Sequence, residues 1–254
     1  MIEALANAEL ALRTHQKHID MISNNVSNIN TPGYKASAPV FTNLIAAPEV
    51  TGANQPGVKA GSGVEISDAL YRFTDGEFKH TGSPLDLAIQ GNGLIEVELS
   101  NGDVAYTRVM SLRKLEDGSL ATVHGHRLAS NIIVPPDVSE LKVARDGIVS
   151  GLIRGDSEAL ELGQIELAVF DSFEALSPGE GGIWHRTEES GQLHYVLPYS
   201  DGAGAILQGY TEMSNVNMIE EMVSLMSAQR AYQLNSRVIQ TSDQILETIN
   251  NLTR

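Results

Sequence analysis

The sequence predicts an α+β protein: long N- and C-terminal helices paired as a coiled-coil stalk, an antiparallel β-rich central domain and an extended arm. Three observations predict it. Apolar residues recur every seven positions near both ends of the 254-residue chain, which is the period of a left-handed coiled coil. Between the ends, apolar and polar residues alternate, which is typical of strands. The predicted divisions are 1–35, 36–67, 68–208 and 209–254.

The first helix is predicted over residues 4–29. One set of apolar residues is spaced by seven, and a second set fills the alternate positions. The first set is Leu5, Leu12, Ile19 and Val26, and the second is Ala8, His15, Ile22 and Ile29. The helix is expected to end near Asn30, because Pro32 disfavours helix in the residue before it and Gly33 permits a turn.

Residues 36–67 carry many prolines and glycines and only short apolar runs. This composition predicts an extended arm or loop rather than a packed element.

The central domain, residues 68–208, shows a period of two. Leu85, Leu87 and Ile89 alternate with more polar neighbours, as expected of a half-buried strand. Turn dipeptides follow at residues 101–102, 117–118 and 146–147, each an Asn or Asp before a Gly, which is a strong hairpin signal. The domain is therefore predicted to be a sandwich, an open barrel or a rolled sheet of short strands.

The C-terminal helix is predicted to begin at Asn217, whose side chain can accept a backbone N–H, with Glu220 three residues later. No Gly or Pro follows, so the helix is expected to extend for roughly 50 Å. Its seven-residue series is Met218, Leu225, Tyr232, Ile239 and Leu246, and Met222 belongs to a set that widens this stripe. A long core helix is the alternative, but the length and the period favour a helix–helix seam.

The apolar stripe extends around more than one side of the helix, which one partner helix cannot cover. It therefore predicts contacts with further copies of the chain. Asn24, Asn25 and Asn28 cluster near the predicted end of the first helix. They are interpreted as helix-capping residues, as hydrogen-bonding groups between subunits, or as both.

Composition and motifs argue against catalysis. The formal net charge of −15 disfavours nucleic acid and an anionic membrane surface, and no apolar run is long enough for membrane insertion. The absence of Cys excludes disulfides and thiol chemistry, and no cleavable signal peptide is recognisable. His124 and His126 are a weak metal pair, and Gly91 with Gly93 is better explained by a turn than by nucleotide binding. We expect no catalytic residues, no cofactor and no metal.

Four segments resemble the bacterial flagellar rod and hook proteins. They are residues 22–35 (ISNNVSNINTPGYK), 83–93 (SPLDLAIQGNG), 105–108 (AYTR) and 209–217 (GYTEMSNVN). The C-terminal segment is most similar to distal-rod members, and a proximal-rod or hook-type subunit is the alternative. A more distant alternative is a binding module that consists of the β domain and is dimerised by the helices.

The resemblance implies a structural subunit that polymerises helically into a hollow drive shaft in the flagellar basal body. The implied partners are further copies of the chain, other rod proteins, the hook protein, ring or bushing proteins and the flagellar export apparatus, whose type III channel would explain the missing signal peptide. The residues predicted to form subunit contacts are Leu5, Leu12, Ile19, Ile22, Asn24, Asn25, Val26, Asn28, Asn215, Asn217, Met218, Met222, Leu225, Tyr232, Ile239 and Leu246.

Overall fold

A computed structural model describes residues 2–45, 61–130, 132–153, 159–200 and 202–252. The chain forms two compact units. The helical unit comprises Met1–Ser27, Ser37–Leu70 and Asn217–Arg254, and the β unit comprises Asn28–Ala36 and Tyr71–Val216. Helices and a β-rich body are thus both present, as the α+β prediction requires.

The helical unit contains helices α1 (Ile2–Ser27) and α2 (Met218–Leu252), which pack against each other. With 35 residues, α2 is about 52 Å long. Helix α1 ends three residues before the expected position. The chain then turns, and the Thr31 N–H donates to the carbonyl of Asn28 over 3.0 Å, because the following proline cannot continue a helix.

The predicted arm contains regular structure. Strands β1 (Ser37–Ile45) and β2 (Gly61–Tyr71) pair as a two-stranded sheet, and residues 46–60 between them lie outside the described part. The expectation of a loop without a packed element was therefore wrong for these two stretches. Pairing satisfies the backbone groups on the facing edges of the two strands, which proline and glycine counts do not reveal.

The β unit consists of short strands. Their bounds are β3 Phe78–His80, β4 Asp86–Gln90, β5 Ile95–Glu98, β6 Val104–Thr107, β7 Met110–Lys114, β8 Leu120–Thr122, β9 Arg127–Leu128, β10 Val138–Val143, β11 Ile148–Ile153, β12 Ala159–Gln164, β13 Leu167–Phe170, β14 Ser177–Pro178, β15 Ile183–His185, β16 Leu193–Val196, β17 Ala205–Gln208 and β18 Tyr210–Glu212.

Within the described residues these strands form four sheets. The largest has nine strands in the order β14-β15-β6-β5-β9-β8-β7-β4-β17, and the others are β10-β11-β12, β13-β16 and β18-β3. Their pairings are antiparallel, so the predicted antiparallel body is confirmed.

The three predicted hairpin turns are confirmed. They connect β5 to β6, β7 to β8 and β10 to β11, and in each the glycine N–H donates to the carbonyl three residues earlier over 2.9 to 3.0 Å. Gly118 shows why glycine is needed: its φ is +83°, and an added Cβ would lie 2.8 Å from the Val134 carbonyl oxygen.

The main core follows the period-two pattern. In β5, Ile95 and Val97 are buried, whereas Glu96 and Glu98 are not. The largest cluster of buried apolar residues draws on β4, β5, β7, β8, β9, β10, β11, β13 and β17, so strands of three of the four sheets share this interior.

Trp184 fills a second buried cluster of the β unit. It lies on β15, is 5% exposed, and its ring centroid lies 5.0 Å from Tyr71 and 4.8 Å from Phe73. Both ring pairs are edge-to-face, which is a favoured geometry for aromatic groups.

Candidate functional site: a buried ion network and an exposed helix face

Four charged side chains from distant parts of the sequence meet inside the β unit. The Lys35 Nζ lies 2.7 Å from the Glu212 Oε1, and the Arg108 Nε lies 2.6 Å from the Glu212 Oε2. The Arg108 Nη2 lies 2.9 Å from the Asp75 Oδ1. The side chains of Lys35, Arg108 and Glu212 are at most 3% exposed, whereas that of Asp75 is 35% exposed. Two cations and two carboxylates therefore balance in charge.

The other hydrogen-bonding groups of this ion network also have partners. Lys35 donates to one backbone carbonyl, Arg108 donates to two, and each carboxylate accepts a backbone N–H. These bonds are Lys35 Nζ to Thr74 O at 2.8 Å, Arg108 Nη1 to Gly93 O at 2.7 Å, Arg108 Nη2 to Ile89 O at 2.8 Å, Gly76 N to Glu212 Oε1 at 3.0 Å and Gly91 N to Asp75 Oδ2 at 2.9 Å. Buried charges require such pairing, because unpaired ones are costly.

The network shifts the pKa values of its members. Burial alone raises the pKa of Glu212, but the neighbouring charges of Arg108 and Lys35 outweigh burial and lower it below the ordinary value of 4.5. Burial and then the charge of Arg108 lower the pKa of Lys35, against the opposing effect of Glu212. The ionised form of Glu212 is therefore the one that the folded β unit favours.

Asn215 connects the same segments through uncharged groups. Its Oδ1 accepts the Ala36 N–H at 2.7 Å, and its Nδ2 donates to the Arg72 carbonyl at 2.7 Å and to the Thr74 Oγ1 at 3.0 Å. Asn215 was predicted to form subunit contacts, and in the structure it bridges segments of a single chain.

Two glycines allow these segments to approach. An added Cβ on Gly76 would lie 2.0 Å from the Met213 carbonyl oxygen. Gly33 has φ of +68°, its N–H donates to the Glu212 carbonyl at 2.8 Å, and an added Cβ would lie 2.6 Å from a Val109 methyl. Any side chain would therefore separate the segments that carry the ion network.

The ion network is suited to holding segments together rather than to catalysis. Both oxygens of Glu212 are occupied by cationic partners, and a general acid or base must reach a substrate proton. Within the described residues, no group of three His, Asp or Glu side chains could hold a metal ion.

Asn25 bridges segments of the helical unit, as Asn215 does in the β unit, and it is 1% exposed. Its Nδ2 donates to the Ser37 carbonyl at 2.8 Å and to the Glu221 Oε1 at 3.1 Å, and its Oδ1 accepts the Ser37 N–H at 3.0 Å. One side chain thus connects α1, β1 and α2. These bonds lie within one protomer, whereas Asn25 was predicted to form contacts between subunits.

The predicted start of α2 is confirmed. The Asn217 Oδ1 accepts the N–H of Ile219 at 3.1 Å, which satisfies one of the free donors at the helix start. Glu220 accepts from the Asn217 side-chain amide at 3.2 Å, whereas a full capping box would use the backbone N–H.

Helix α2 has two different faces. One is buried or half-buried at a heptad spacing, and its members are Glu221, Leu225, Ala228, Asn235, Ile239 and Ser242. The other is apolar and between 42% and 74% exposed, and its members are Met218, Ile219, Met222, Val223, Met226, Leu234, Val238 and Ile245. We call the second set the exposed apolar face.

The residues predicted for subunit contacts therefore differ in their surroundings. The buried members are Ile22 and Asn25, and the half-buried members are Leu12, Ile19, Val26, Asn28, Asn215, Leu225 and Ile239. The exposed members are Asn24, Asn217, Met218, Met222 and Tyr232, and the side chains of Leu5 and Leu246 lie outside the described part. Within α1, the most buried apolar positions are Ala8 and Ile22 rather than the series that contains Leu12.

Sequence reasoning missed the ion network, although three of its four members lie in segments already singled out. Lys35 ends the first motif, Arg108 ends the third, and Glu212 lies within the fourth. A possible signal was the placement of single charges among residues of buried type, but no local pattern shows that three distant segments meet.

Comparison with known proteins relates the segments that contain Lys35, Arg108 and Glu212 to flagellar proteins. Models of three families match the chain: Flagella basal body rod protein over residues 5–35, Flagellar hook protein FlgE/F/G D1 domain over 88–151, and Flagellar basal body rod FlgEFG protein C-terminal over 207–252. The motifs that supply Lys35, Arg108 and Glu212 fall one in each match.

Relatives that match over most of their length are also described as flagellar basal-body rod proteins. The flagellar basal-body rod protein FlgG of Borreliella burgdorferi is 36% identical, with all of both chains covered. That of Buchnera aphidicola subsp. Schizaphis graminum is 34% identical over 99% of this chain and all of the relative. The rod protein FlgF of Escherichia coli is 28% identical over 87% of this chain and 86% of the relative.

The fold and the family matches define a structural protein of the flagellum. The chain belongs to the family of flagellar basal-body rod proteins. It is a structural rod subunit of the flagellar basal body, where it assembles with other flagellar components. Among the described residues, neither helix combines the length and apolar character needed to cross a membrane.

Proposed function

We propose that this chain is the distal rod subunit and that it polymerises into a hollow helical tube that transmits torque to the hook. In this proposal α1 and α2 pair as a coiled coil that lines the tube. The observation that carries the proposal is the exposed apolar face of α2, because a soluble protein gains little from eight large apolar side chains in water.

The size of this face supports contact with several neighbours. Covering the eight side chains by half would contribute about 1 kcal/mol each, or roughly 8 kcal/mol together. The loss of translational and rotational freedom costs an estimated 4–15 kcal/mol. A single contact would therefore be weak, whereas a subunit held by several neighbours at once would be stable.

The distal assignment rests on similarity along the whole chain. FlgG proteins match at 29–36% identity with 98–100% of this chain covered, whereas the FlgF protein matches at 28% with 87% covered. We further propose the partners that the resemblance implies: other rod proteins, the hook protein, ring proteins and the export channel. The sixteen contact residues and the divisions at 36, 68 and 209 belong to the same proposal.

The test is a double substitution in the exposed apolar face, Ile219→Asp with Val223→Asp. Both side chains are at least half exposed, so helix content by circular dichroism should remain unchanged. Assembly should be lost in sedimentation and in negative-stain micrographs, and the variant should not restore swimming to a deletion strain of the source bacterium.

The matched control is Gln229→Asp with Gln233→Asp, which adds the same charge at exposed polar positions of the same helix. It should assemble and restore swimming. Wild-type assembly by the Ile219 and Val223 variant, or an unmodified chain that remains monomeric at high concentration, would contradict the proposal.

A further inference from the structure

Three of the seven methionines lie along one line of the exposed apolar face. Met218, Met222 and Met226 are four residues apart, a spacing that places them on one side of a helix. They are 42%, 49% and 52% exposed. We call these three residues the methionine strip.

The other described methionines are more protected. Met110 is 2% exposed within the main core, and Met21 and Met213 are half-buried. The structure thus separates accessible thioethers on α2 from protected ones elsewhere in the described chain.

We propose that the methionine strip is a reversible oxidation site that controls whether the chain can add to a polymer. This inference rests on the proposed function, because it assigns regulation to the same helix face. Methionine suits a contact face in its thioether form, since it is flexible, polarizable and apolar. As a sulfoxide it is polar and disrupts such contacts.

The reactive partner is a hydroperoxide. The thioether sulfur attacks one peroxide oxygen, the O–O bond breaks, and that oxygen remains on sulfur. The other oxygen leaves as water or alcohol after proton transfer, so the sulfur is oxidised by two electrons and the peroxide is reduced by two. Methionine sulfoxide reductases reverse the change.

The position of the strip makes the reaction depend on assembly. In the free chain the three methionines are about half exposed, whereas in the proposed polymer a neighbouring copy covers them. Oxidation should therefore act before a subunit is added, and assembled subunits should be protected. A sulfoxide oxygen left without a partner in the contact should raise the critical concentration for assembly about tenfold or more.

The experiment treats the full-length chain with hydrogen peroxide and measures oxygen addition by peptide mass spectrometry and assembly by sedimentation. The three strip residues should be oxidised before Met110, assembly should fall, and methionine sulfoxide reductase should restore it. The same peroxide added after assembly should modify the strip much more slowly.

The control variant is Met218→Leu with Met222→Leu and Met226→Leu, which keeps the face apolar but removes the oxidisable sulfurs. It should assemble with or without peroxide. Unchanged assembly of the oxidised wild type would overturn the inference and leave the proposed function standing, as would equal peroxide sensitivity of the leucine variant. An untreated chain that does not assemble would instead contradict the proposed function, and this inference with it.

Discussion

Replacing Glu212 by Gln tests how much the β unit depends on its ion network. Glutamine keeps the shape and one oxygen acceptor but removes the negative charge between the Lys35 Nζ and the Arg108 Nε, which lie 2.7 and 2.6 Å from the carboxylate oxygens. Both cations would remain buried, and Asp75 compensates only in part because it is 35% exposed and its ion pair is with Arg108 and not with Lys35.

The expected loss is about 3–5 kcal/mol in the free energy of unfolding, the usual cost of leaving a buried charge without its partner. Since a domain of ordinary stability has roughly 5–15 kcal/mol in total, the β unit should become marginally stable. Urea denaturation followed by Trp184 fluorescence measures the loss, because this buried tryptophan belongs to the β unit.

Two further variants make the measurement specific. Asp117→Asn breaks an exposed ion pair in which the side chain of Asp117 is 45% exposed and that of Arg127 is 56% exposed. The urea midpoint of this variant should not differ measurably from that of the unmodified chain. Adding Lys35→Met to Glu212→Gln removes one of the unpaired cations, so the double variant should be more stable than Glu212→Gln alone. If the urea midpoint of Glu212→Gln equalled that of the Asp117→Asn control, the ion network would not stabilise the β unit.

Two more predictions follow from the same contacts. Because the pKa of Glu212 is lowered in the folded chain, the stability that its charge contributes is present above the unfolded value of about 4.5 and lost as pH falls through the folded pKa. Unfolding free energy measured from pH 6 to pH 2 should therefore fall less steeply in Glu212→Gln, and parallel acid limbs would show that the carboxylate is not responsible. In the helical unit, Asn25→Ala should cost about 1–3 kcal/mol by leaving the Ser37 N–H without its acceptor. Hydrogen exchange should accelerate at Ser37 and in β1, the exposed Ser23→Ala should have little effect, and unchanged exchange in Asn25→Ala would contradict the bridging role.

Local patterns predicted much of the fold. The cap at Asn217 and the three glycine turns depend on neighbouring residues, so the sequence contains the necessary information. The two strands of the arm were missed because their pairing depends on a partner stretch and not on their own composition.

The candidate functional site, like the fold, could be predicted only in part from the sequence. The apolar positions of α2 were visible as a stripe wider than one partner needs, but their assignment to a covered and an exposed face required the packed helix pair. Asn25 and Asn215 were singled out as contact residues, yet the structure uses both within one chain. A side chain's partners depend on which distant backbone groups the fold brings within about 3 Å, and no spacing along the chain specifies this.

The two long helices, the antiparallel strands and their turns could be predicted from the sequence, because helix periods, caps and glycine turns are local physical preferences. The packed fold was needed to show that Lys35, Arg108 and Glu212 meet, that residues 37–45 and 61–71 pair, and which face of α2 remains exposed. Those features join residues far apart in the chain, and the balance between burying a charge and pairing it is settled only where the partners meet.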